Sequence, residues 1–459
     1  MFRPAVIALA VGVASTALAA ERPKLGVLIV IDQLSVDAFD ARVPKLAGGI
    51  KRMINEGVRF REARYEAAPT ITSVGHATLI TGTYGETHGI VSNEWVDHAT
   101  GKPTLSTEDP AYQIVGRPPA RDGTAPTMLR AATLGDSIKL ADARAKVVTI
   151  SAKDRASILT AGRSADAAVW FDAQSPFFTT STFYASEIPA WVTPINEAIA
   201  KMVVAGTFVW GLPGGGFTGE HPEPIKRAGE HELFAERPSL QPVLDKLEVD
   251  LAISALKALS MGKDDAPDLL VVSFSGHDRT GHRFGPDSPE AVAEYLVIDR
   301  EIGRLLQALD TEVGKNRYVV ALSSDHGVAP LAEYSKSMHL DSGRIDGEAL
   351  KQALEKEADE ALGAADWFGY SRSPGLYVAT ATARAKIHSI DQRLRALARK
   401  HPGVHDLLAL PSLLDGSRSG QFGELFRRGA FDGRTPDFII VPRPYWMSAL
   451  SDSTRRSEE

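Results

Sequence analysis

Short apolar runs alternate with amphipathic stretches along most of the chain. The runs are bounded by polar or turn-forming residues and lie at 25–31, 147–150, 269–274, 318–322 and 438–441. Runs of this kind are typical of buried strands, and the stretches between them repeat apolar residues with helical spacing. The clearest helix begins at Ser288-Pro289, since serine caps a helix and proline suits its first turn. The alternation predicts an α/β fold in which helices sandwich a mixed, mostly parallel sheet.

Two segments do not follow this alternation. The first, about 94–245, is rich in threonine, proline and aromatic residues, and the second covers about 332–432. We interpret both as insertions in a single α/β domain that spans residues 21–459. The first of them contains Lys153 and Arg155.

The first twenty residues have the layout of a secretory signal peptide. A basic residue, Arg3, precedes an apolar run at 5–13, and small residues follow at Ala17 and Ala19. A membrane-spanning helix is the alternative, but it needs about 20 strongly apolar residues, and this stretch is too short and too rich in small residues. The pattern predicts that 1–20 is removed, that the mature chain has no membrane span, and that it is exported to the periplasm or secreted.

The composition is that of a folded globular protein, with 459 residues, 44% of them hydrophobic and 24% charged. A net charge of −7 disfavours nucleic acid as a scaffold, because proteins that grip phosphate backbones present basic surfaces. The absence of cysteine excludes disulfides, thiol nucleophiles, cysteine-held zinc and a formylglycine made from cysteine. Any metal must therefore be held by histidine, aspartate or glutamate.

Acidic and histidine residues follow three of the apolar runs. They are Asp32 after the first, Asp278 and His282 after the run at 269–274, and the Asp325-His326 pair after the run at 318–322. Each aspartate alone is more commonly a helix cap or turn residue. Because ligands bind outside the carboxyl ends of strands in open α/β sheets, all of these groups can converge at one edge. Zinc accepts such a mixture of carboxylate oxygen and imidazole nitrogen.

A candidate nucleophile lies in the segment 69–76, whose sequence is PTITSVGH. Thr72 stands where a helix is expected to begin. By residue type alone, a helix cap at Thr72 or Ser73 is the commoner explanation. The same position also suits a nucleophile, because a helix N-terminus stabilises negative charge and a metal can lower the pKa of a bound hydroxyl.

As a set, these motifs resemble the alkaline phosphatase superfamily, in its threonine-nucleophile branch. That branch includes the PafA-type alkaline phosphatases and the nucleotide pyrophosphatase/phosphodiesterases. The resemblance extends from about Leu25 to Pro444 and rests on ordered motifs at 30–33 (VIDQ), 69–76 (PTITSVGH), 88–95 (HGIVSNEW), 151–159 (SAKDRASIL), 278–282 (DRTGH) and 324–327 (SDHG). It implies an alkaline-phosphatase-like fold carrying the two insertions.

The resemblance also implies a nucleophile and two zinc ions. Thr72 matches the nucleophile, which would form a phosphothreonine that is hydrolysed in a second in-line displacement. The implied ligands of one zinc are Asp32, Asp325, His326 and the Thr72 oxygen. The implied ligands of the other are Asp278, His282 and a further histidine.

Three more residues are implied to contact the phosphoryl group. Asn93 would hydrogen-bond one oxygen, and Lys153 and Arg155 match the pair that meets the others in PafA-type monoesterases. A monoester dianion carries more charge on these oxygens than a diester does, so two added cations favour the monoester. The expected substrates are therefore small phosphate monoesters. An isolated Lys-x-Arg pair would otherwise be taken for surface charge.

Two alternatives stay open. One is a phosphodiesterase or nucleotide pyrophosphatase of the same superfamily, which the Lys153 and Arg155 pair disfavours. The other is an inactive member, because the family's third zinc histidine and its last strand are expected after Trp446, whereas no histidine follows His405 in a chain that looks truncated. The second zinc site is then expected to be weak. His277 is a poor substitute, because adjacent residues rarely face one ion.

Overall fold

The structure is a computed structural model that describes residues 22–117, 123–172, 175, 177–205, 241–372, 374–418 and 420–449. The predicted signal peptide lies outside these residues, as does the end of the chain beyond residue 449. No helix in the described part of the chain is long and apolar enough to cross a bilayer.

The strands, in chain order, are β1 Leu25–Ile31, β2 Glu94–Asp97, β3 Lys102–Leu105, β4 Val147–Ser151, β5 Ala167–Asp172, β6 Phe177–Thr179, β7 Asp268–Phe274, β8 Tyr318–Ser323, β9 Gly343–Asp346, β10 Phe368–Arg372, β11 Gly375–Val378, β12 Val404–Ala409, β13 Phe438–Pro442 and β14 Trp446–Ala449. The helices are α1 Val36–Arg42, α2 Gly49–Glu56, α3 Thr72–Thr81, α4 Gly85–His88, α5 Leu134–Ala141, α6 Asp154–Ala161, α7 Thr193–Ala205, α8 Gln241–Ala258, α9 Gly276–Phe284, α10 Pro289–Glu312, α11 Ala332–Ser337, α12 Gly347–Leu362, α13 Ala381–Ile387, α14 Asp391–Ala398, α15 Leu410–Leu414 and α16 Gln421–Gly429.

The central sheet has six strands in the order β6-β5-β4-β7-β1-β8. All neighbours pair in parallel except β5 and β6, which are antiparallel. The predicted strands at 25–31, 147–150, 269–274 and 318–322 all lie in this sheet. The predicted fold class, an α/β fold with a mixed, mostly parallel sheet, is therefore confirmed.

Helices cover both faces of this sheet because successive side chains of a strand point to opposite faces. On β7, Leu270 and Val272 pack into a core shared with α8 and α10, whereas Leu269 and Val271 pack with Ile80 of α3. A strand buried on both faces has to be continuously apolar, which explains the sequence of this run. The predicted start of α10 is also confirmed, since Ser288 Oγ accepts a hydrogen bond from the amide of Ala291.

A second, antiparallel sheet has the strand order β10-β11-β13-β12 and a separate hydrophobic core with α12, α13 and α14. The apolar run at 438–441 becomes β13 and belongs here rather than to the central sheet. Its neighbours β11 and β12 come from the segment 332–432, which therefore forms a sheet layer of its own together with this strand.

The interpretation of 94–245 as a single insertion has to be corrected. The segment contributes β4, β5 and β6 to the central sheet, so it is not a continuous insertion. Asp172 and the other residues of β5 are buried throughout, because this strand lies inside the sheet between β4 and β6. Lys153 is separated from the end of β4 by one residue and so lies at the carboxyl edge of the central sheet.

Candidate active site

Acidic and basic side chains gather at the carboxyl edge of the central sheet, as the order of the strands predicts. Asp32 follows β1, and Asp278 lies in the first turn of α9, just after β7. Their carboxylates and the imidazole of His326, which follows β8, offer ligand atoms that all lie within 4.8 Å of one another. All three side chains are buried. The sheet therefore converts three distant sequence positions into one cluster.

Thr72 is the first residue of α3 and is only 3% exposed. The predicted side-chain cap at Thr72 or Ser73 is not formed. Instead, Asn93 Oδ1 accepts a hydrogen bond of 2.9 Å from the amide of Ser73, so the cap comes from a residue outside the helix. The hydroxyl of Thr72 therefore does not serve as the helix cap.

The helix α3 lies directly on the backbone that carries the acidic cluster. A Cβ atom added to Gly75 would overlap the backbone oxygen of Asp325, so only glycine permits this approach. The contact fixes the distance between the first turn of α3 and the segment after β8.

Lys153 provides the positive charge of the cluster and is 5% exposed. Its Nζ donates hydrogen bonds of 2.7 Å to Asp32 Oδ2 and 2.5 Å to Asp278 Oδ2. The same atom lies 3.4 Å from Thr72 Oγ1. One ammonium group thus joins two carboxylates of the cluster to the hydroxyl at the start of α3.

The buried charges shift one another's protonation. Burial opposes the charged form of His326, but the carboxylates of Asp325 and Asp32 raise its pKa to about 10. Burial also disfavours the charged form of Asp278, yet Lys153 and His282 hold the pKa of that carboxyl well below its usual range. Lys153 and His282 therefore favour the ionised form of Asp278.

His282 lies at the more open side of the cluster, with 39% of its side chain exposed. Its Nε2 is 3.1 Å from Asp278 Oδ1 and 3.1 Å from the side-chain nitrogen Nε2 of Gln33. Gln33 has a left-handed backbone with φ of 67°, and its backbone N–H donates a hydrogen bond to Asp325 Oδ1. Sequence reasoning did not assign Gln33, although the motif at 30–33 contains it.

The ring nitrogens of His277 bind groups other than Asp278 and His282. This agrees with the expectation that His277 is a poor substitute for the third histidine of the second zinc site. Its Nδ1 lies 3.0 Å from the backbone oxygen of Asp32, and Arg42 donates to its Nε2 across 2.7 Å. Burial, followed by the charge of Arg42, lowers the pKa of His277 to about 4. Both ring nitrogens are thus committed to structural contacts.

Arg155 lies in the first turn of α6, two positions after Lys153. Its side chain is 17% exposed, and its Nη1 lies 3.9 Å from Asp154 Oδ1. Among the described residues, Lys153 contacts Thr72 and Arg155 does not. The structure thus brings Lys153, one member of the predicted cation pair, to the hydroxyl of Thr72, whereas Arg155 lies in the first turn of α6.

The donor set fits a divalent metal. Asp32 Oδ1, Asp278 Oδ1 and Asp325 Oδ2 are buried and accept no hydrogen bond of good geometry from the described residues, although a histidine nitrogen lies 3.1–3.3 Å from each of them. Buried carboxylate oxygens without donors are costly unless a cation lies against them. Oxygen and imidazole donors without thiolates suit zinc and also other divalent ions.

Comparison with known proteins decides the family. Residues 26–459 match the type I phosphodiesterase / nucleotide pyrophosphatase family. The chain belongs to this family.

Several similar proteins are named alkaline phosphatases. The chain is 29% identical to alkaline phosphatase PafA of Elizabethkingia meningoseptica, over 94% of this chain and 84% of that protein. It is 30% identical to alkaline phosphatase PhoV of Synechococcus elongatus, over 71% of this chain and 62% of that protein. The crystal structure of wild-type PafA superposes with a TM-score of 0.83 at 29% identity, covering 94% of this chain and 87% of that one.

These findings confirm the resemblance to the alkaline phosphatase superfamily. A member of the type I phosphodiesterase / nucleotide pyrophosphatase family with relatives of these names is a phosphoric ester hydrolase by family. The choice of ester and the role of each residue depend on the site.

A second group of buried acids lies behind the site and was not predicted. Asp245 on α8 and Glu294 on α10 face Gly276 at the start of α9, where an added Cβ would overlap Glu294 and lie 2.8 Å from Asp245 Oδ1. Burial raises the pKa of Asp245 to about 7 and also raises the pKa of Glu294. Glu248, fully buried on α8, is shifted in the same direction by its burial, so its pKa too is raised.

Replacing Asp245 with asparagine is expected to stabilise the protein at alkaline pH. The folded carboxyl keeps its proton up to about pH 7, whereas the unfolded one titrates near a pKa of about 3.9. The folded state thus binds more protons over this interval, and the free energy of unfolding falls as pH rises through it. Asparagine does not ionise, so the stability of Asp245→Asn relative to wild type should grow between pH 5 and pH 8.

Denaturant unfolding at both pH values measures this change. Asp341→Asn, at an exposed carboxylate, is the matched control and should show no growth with pH. An advantage of Asp245→Asn that is equal at pH 5 and pH 8 would contradict the proposed protonation of the buried carboxyl.

Proposed function

We propose that this protein is an exported, zinc-dependent phosphate monoester hydrolase that acts through a phosphothreonine intermediate. The observation that carries the proposal is the position of Lys153, whose Nζ lies 3.4 Å from Thr72 Oγ1 while bound to Asp32 and Asp278. A fixed cation beside a hydroxyl at a helix N-terminus favours the approach of a dianionic phosphoryl group. Export would depend on the predicted signal peptide at 1–20.

Zinc would be held by Asp32, Asp325 and His326 with the Thr72 hydroxyl, and by Asp278 and His282. The bound ions would supply Lewis-acid stabilisation to the entering and leaving oxygens of the displacement. The buried carboxylate oxygens that lack a hydrogen bond of good geometry support the assignment of a metal site here, because such oxygens favour a bound cation.

Thr72 is the group that attacks phosphorus. Its hydroxyl proton passes to solvent, Oγ1 forms a bond to phosphorus as the ester P–O bond breaks, and the leaving oxygen takes up a proton from solvent and departs as an alcohol. Water then cleaves the phosphothreonine, which releases inorganic phosphate and restores the Thr72 hydroxyl. The amides of the first turn of α3 and the helix dipole stabilise negative charge beside this position.

Asn93, Lys153 and Arg155 would bind the phosphoryl oxygens that do not react. The Oδ1 of Asn93 is already occupied by the amide of Ser73, which leaves its Nδ2 as the donor for the substrate. Lys153 and Arg155 add positive charge, which stabilises a monoester dianion more than a diester monoanion. These side chains therefore favour small phosphate monoesters.

The test compares an aryl phosphate monoester with the matching diester. The purified full chain should hydrolyse the monoester with added zinc, at a kcat/KM at least about 100-fold above the diester, since the cations meet charge that only the monoester carries. Dialysis against a chelator should remove this turnover, and returning zinc should restore it.

Each other outcome has a definite meaning. Preferential turnover of the diester would establish the phosphodiesterase alternative. A folded, zinc-loaded chain that turns over neither ester would identify an inactive member. Turnover that survives complete removal of metal would refute the zinc assignment.

A further inference from the structure

A buried histidine links the first turn of α3 to the centre of the sheet. His76 has no exposed surface, and its Nδ1 lies 2.8 Å from the backbone oxygen of Thr72. The same nitrogen is 3.2 Å from Asp325 Oδ2. On the other side of the ring, Nε2 is 2.7 Å from Ser273 Oγ of β7. One imidazole therefore contacts the backbone of the proposed nucleophile, a proposed metal ligand and the sheet.

The donors and acceptors around the ring define its tautomer. The backbone carbonyl of Thr72 can only accept, so Nδ1 has to carry the proton of this hydrogen bond. The hydroxyl of Ser273 can donate, so it can satisfy an unprotonated Nε2. Ser273 thus stabilises the form of His76 that donates to Thr72, as a second partner commonly does for a functional imidazole.

The same network extends to Lys153. Ser151 Oγ donates to the backbone oxygen of Ser273 across 3.0 Å, and the amide of Lys153 donates to Ser151 Oγ across 3.2 Å. Ser151 and Ser273 are fully or almost fully buried at paired positions of β4 and β7. The hydrogen bonds therefore join the segment that carries Lys153 to the helix that carries Thr72.

We propose that His76, held in its Nδ1–H tautomer by Ser273, is a positioning residue for Thr72 and Asp325. The proposal rests on the proposed function, because it says how the attacking oxygen is aligned. His76 does not touch the substrate. Its loss should therefore lower kcat and leave KM almost unchanged, whereas a residue that only supports the fold would lower the amount of folded protein.

Two substitutions distinguish the roles of the two ring nitrogens of His76. In His76→Asn, the amide NH2 takes the place of the Nδ1–H donor, whereas in His76→Gln the amide reaches the Nε2 position beside Ser273. We expect His76→Gln to lower kcat for the aryl monoester by about 50-fold and His76→Asn by only about fivefold, with KM within about twofold of wild type. Ser273→Ala, which leaves the histidine in place, should fall between them.

Equal losses in His76→Asn and His76→Gln, or a rise in KM that accounts for the loss, would overturn the proposal. Thermal unfolding of each variant identifies any loss of kcat that comes from misfolding. If His76→Gln does not fold, Ser273→Ala still tests the link between the hydroxyl and kcat.

A spectroscopic measurement keeps this test independent of turnover. Long-range 1H–15N correlation spectra of the full chain report which nitrogen of each neutral histidine carries the proton, and the signal missing in His76→Asn belongs to His76. A protonated Nδ1 supports the proposal, and a protonated Nε2 with a bare Nδ1 refutes it. A wild-type chain without monoester turnover would refute the proposed function, while the spectrum would still decide the tautomer.

Discussion

Replacing Thr72 with alanine is expected to lower kcat for an aryl phosphate monoester by at least about 1000-fold, because the reaction then has no side-chain nucleophile. The fold should survive the change. The side chain makes its described hydrogen bond with Lys153, and the N-terminus of α3 is capped by Asn93 instead. Steady-state turnover and thermal unfolding of the same preparations measure both effects.

Thr72→Ser is the matched control, since it keeps the hydroxyl and removes only a methyl group. It should retain turnover within about 10-fold of wild type, because the attacking oxygen remains. Acid quenching during turnover should trap a phosphoryl group on the peptide containing residue 72 in the wild type and in Thr72→Ser, and none in Thr72→Ala. Undiminished turnover by Thr72→Ala would exclude this residue as the nucleophile.

Replacing Lys153 with alanine should produce the second largest effect, a loss of about 100-fold or more in kcat/KM for the monoester. The loss for the matching diester should be less than about 10-fold, because a diester presents less charge to the ammonium group. Arg155→Ala should shift the ratio of the two substrates in the same direction. Equal losses for both esters would show that Lys153 does not select the monoester.

Replacing Lys153 with alanine should also lower the stability of the metal-free protein. Asp32 and Asp278 are buried, and without metal Lys153 is the cation that both of them bind. Removing it should therefore lower the free energy of unfolding of the chelated protein by about 3 kcal/mol, with a smaller loss when zinc is present.

Lys139→Ala is the control for this stability measurement. Lys139 pairs with Asp166 at the surface, at a distance of 2.7 Å. Its removal should change stability by less than about 1 kcal/mol and should not alter turnover. A loss in chelated Lys153→Ala no larger than in Lys139→Ala would contradict the role of Lys153 in neutralising the buried carboxylates.

The convergence of Asp32, Asp278 and His326 could be predicted from sequence because it follows from topology. Each residue comes directly after an apolar run, and parallel strands bring their carboxyl ends to one edge. The start of α3 at Thr72 was predicted from the local pattern in the same way. The contact between Lys153 and these carboxylates was not predictable, because it depends on which strands are neighbours.

Other features depend on pairing partners that an apolar run does not specify. The run at 438–441 forms a strand as predicted, but its partners β11 and β12 place it in the second sheet. Asp245 and Glu248 lie on α8, where polar residues at helical spacing usually indicate a solvated face. They are buried instead, because α9 and α10 pack over that face.

The close approach at Gly75 bears on how this site can change over time. Because α3 rests directly on the backbone of Asp325, the main chain at Thr72 is held at a fixed distance from the main chain that carries the acidic cluster. Side chains around the phosphoryl position can then be exchanged without disturbing the alignment of the reacting groups. Under the proposed function, exchanging Lys153 should change the preference between esters while the contact at Gly75 keeps α3 in place, so ester preference would be the property to select for in directed evolution of this chain.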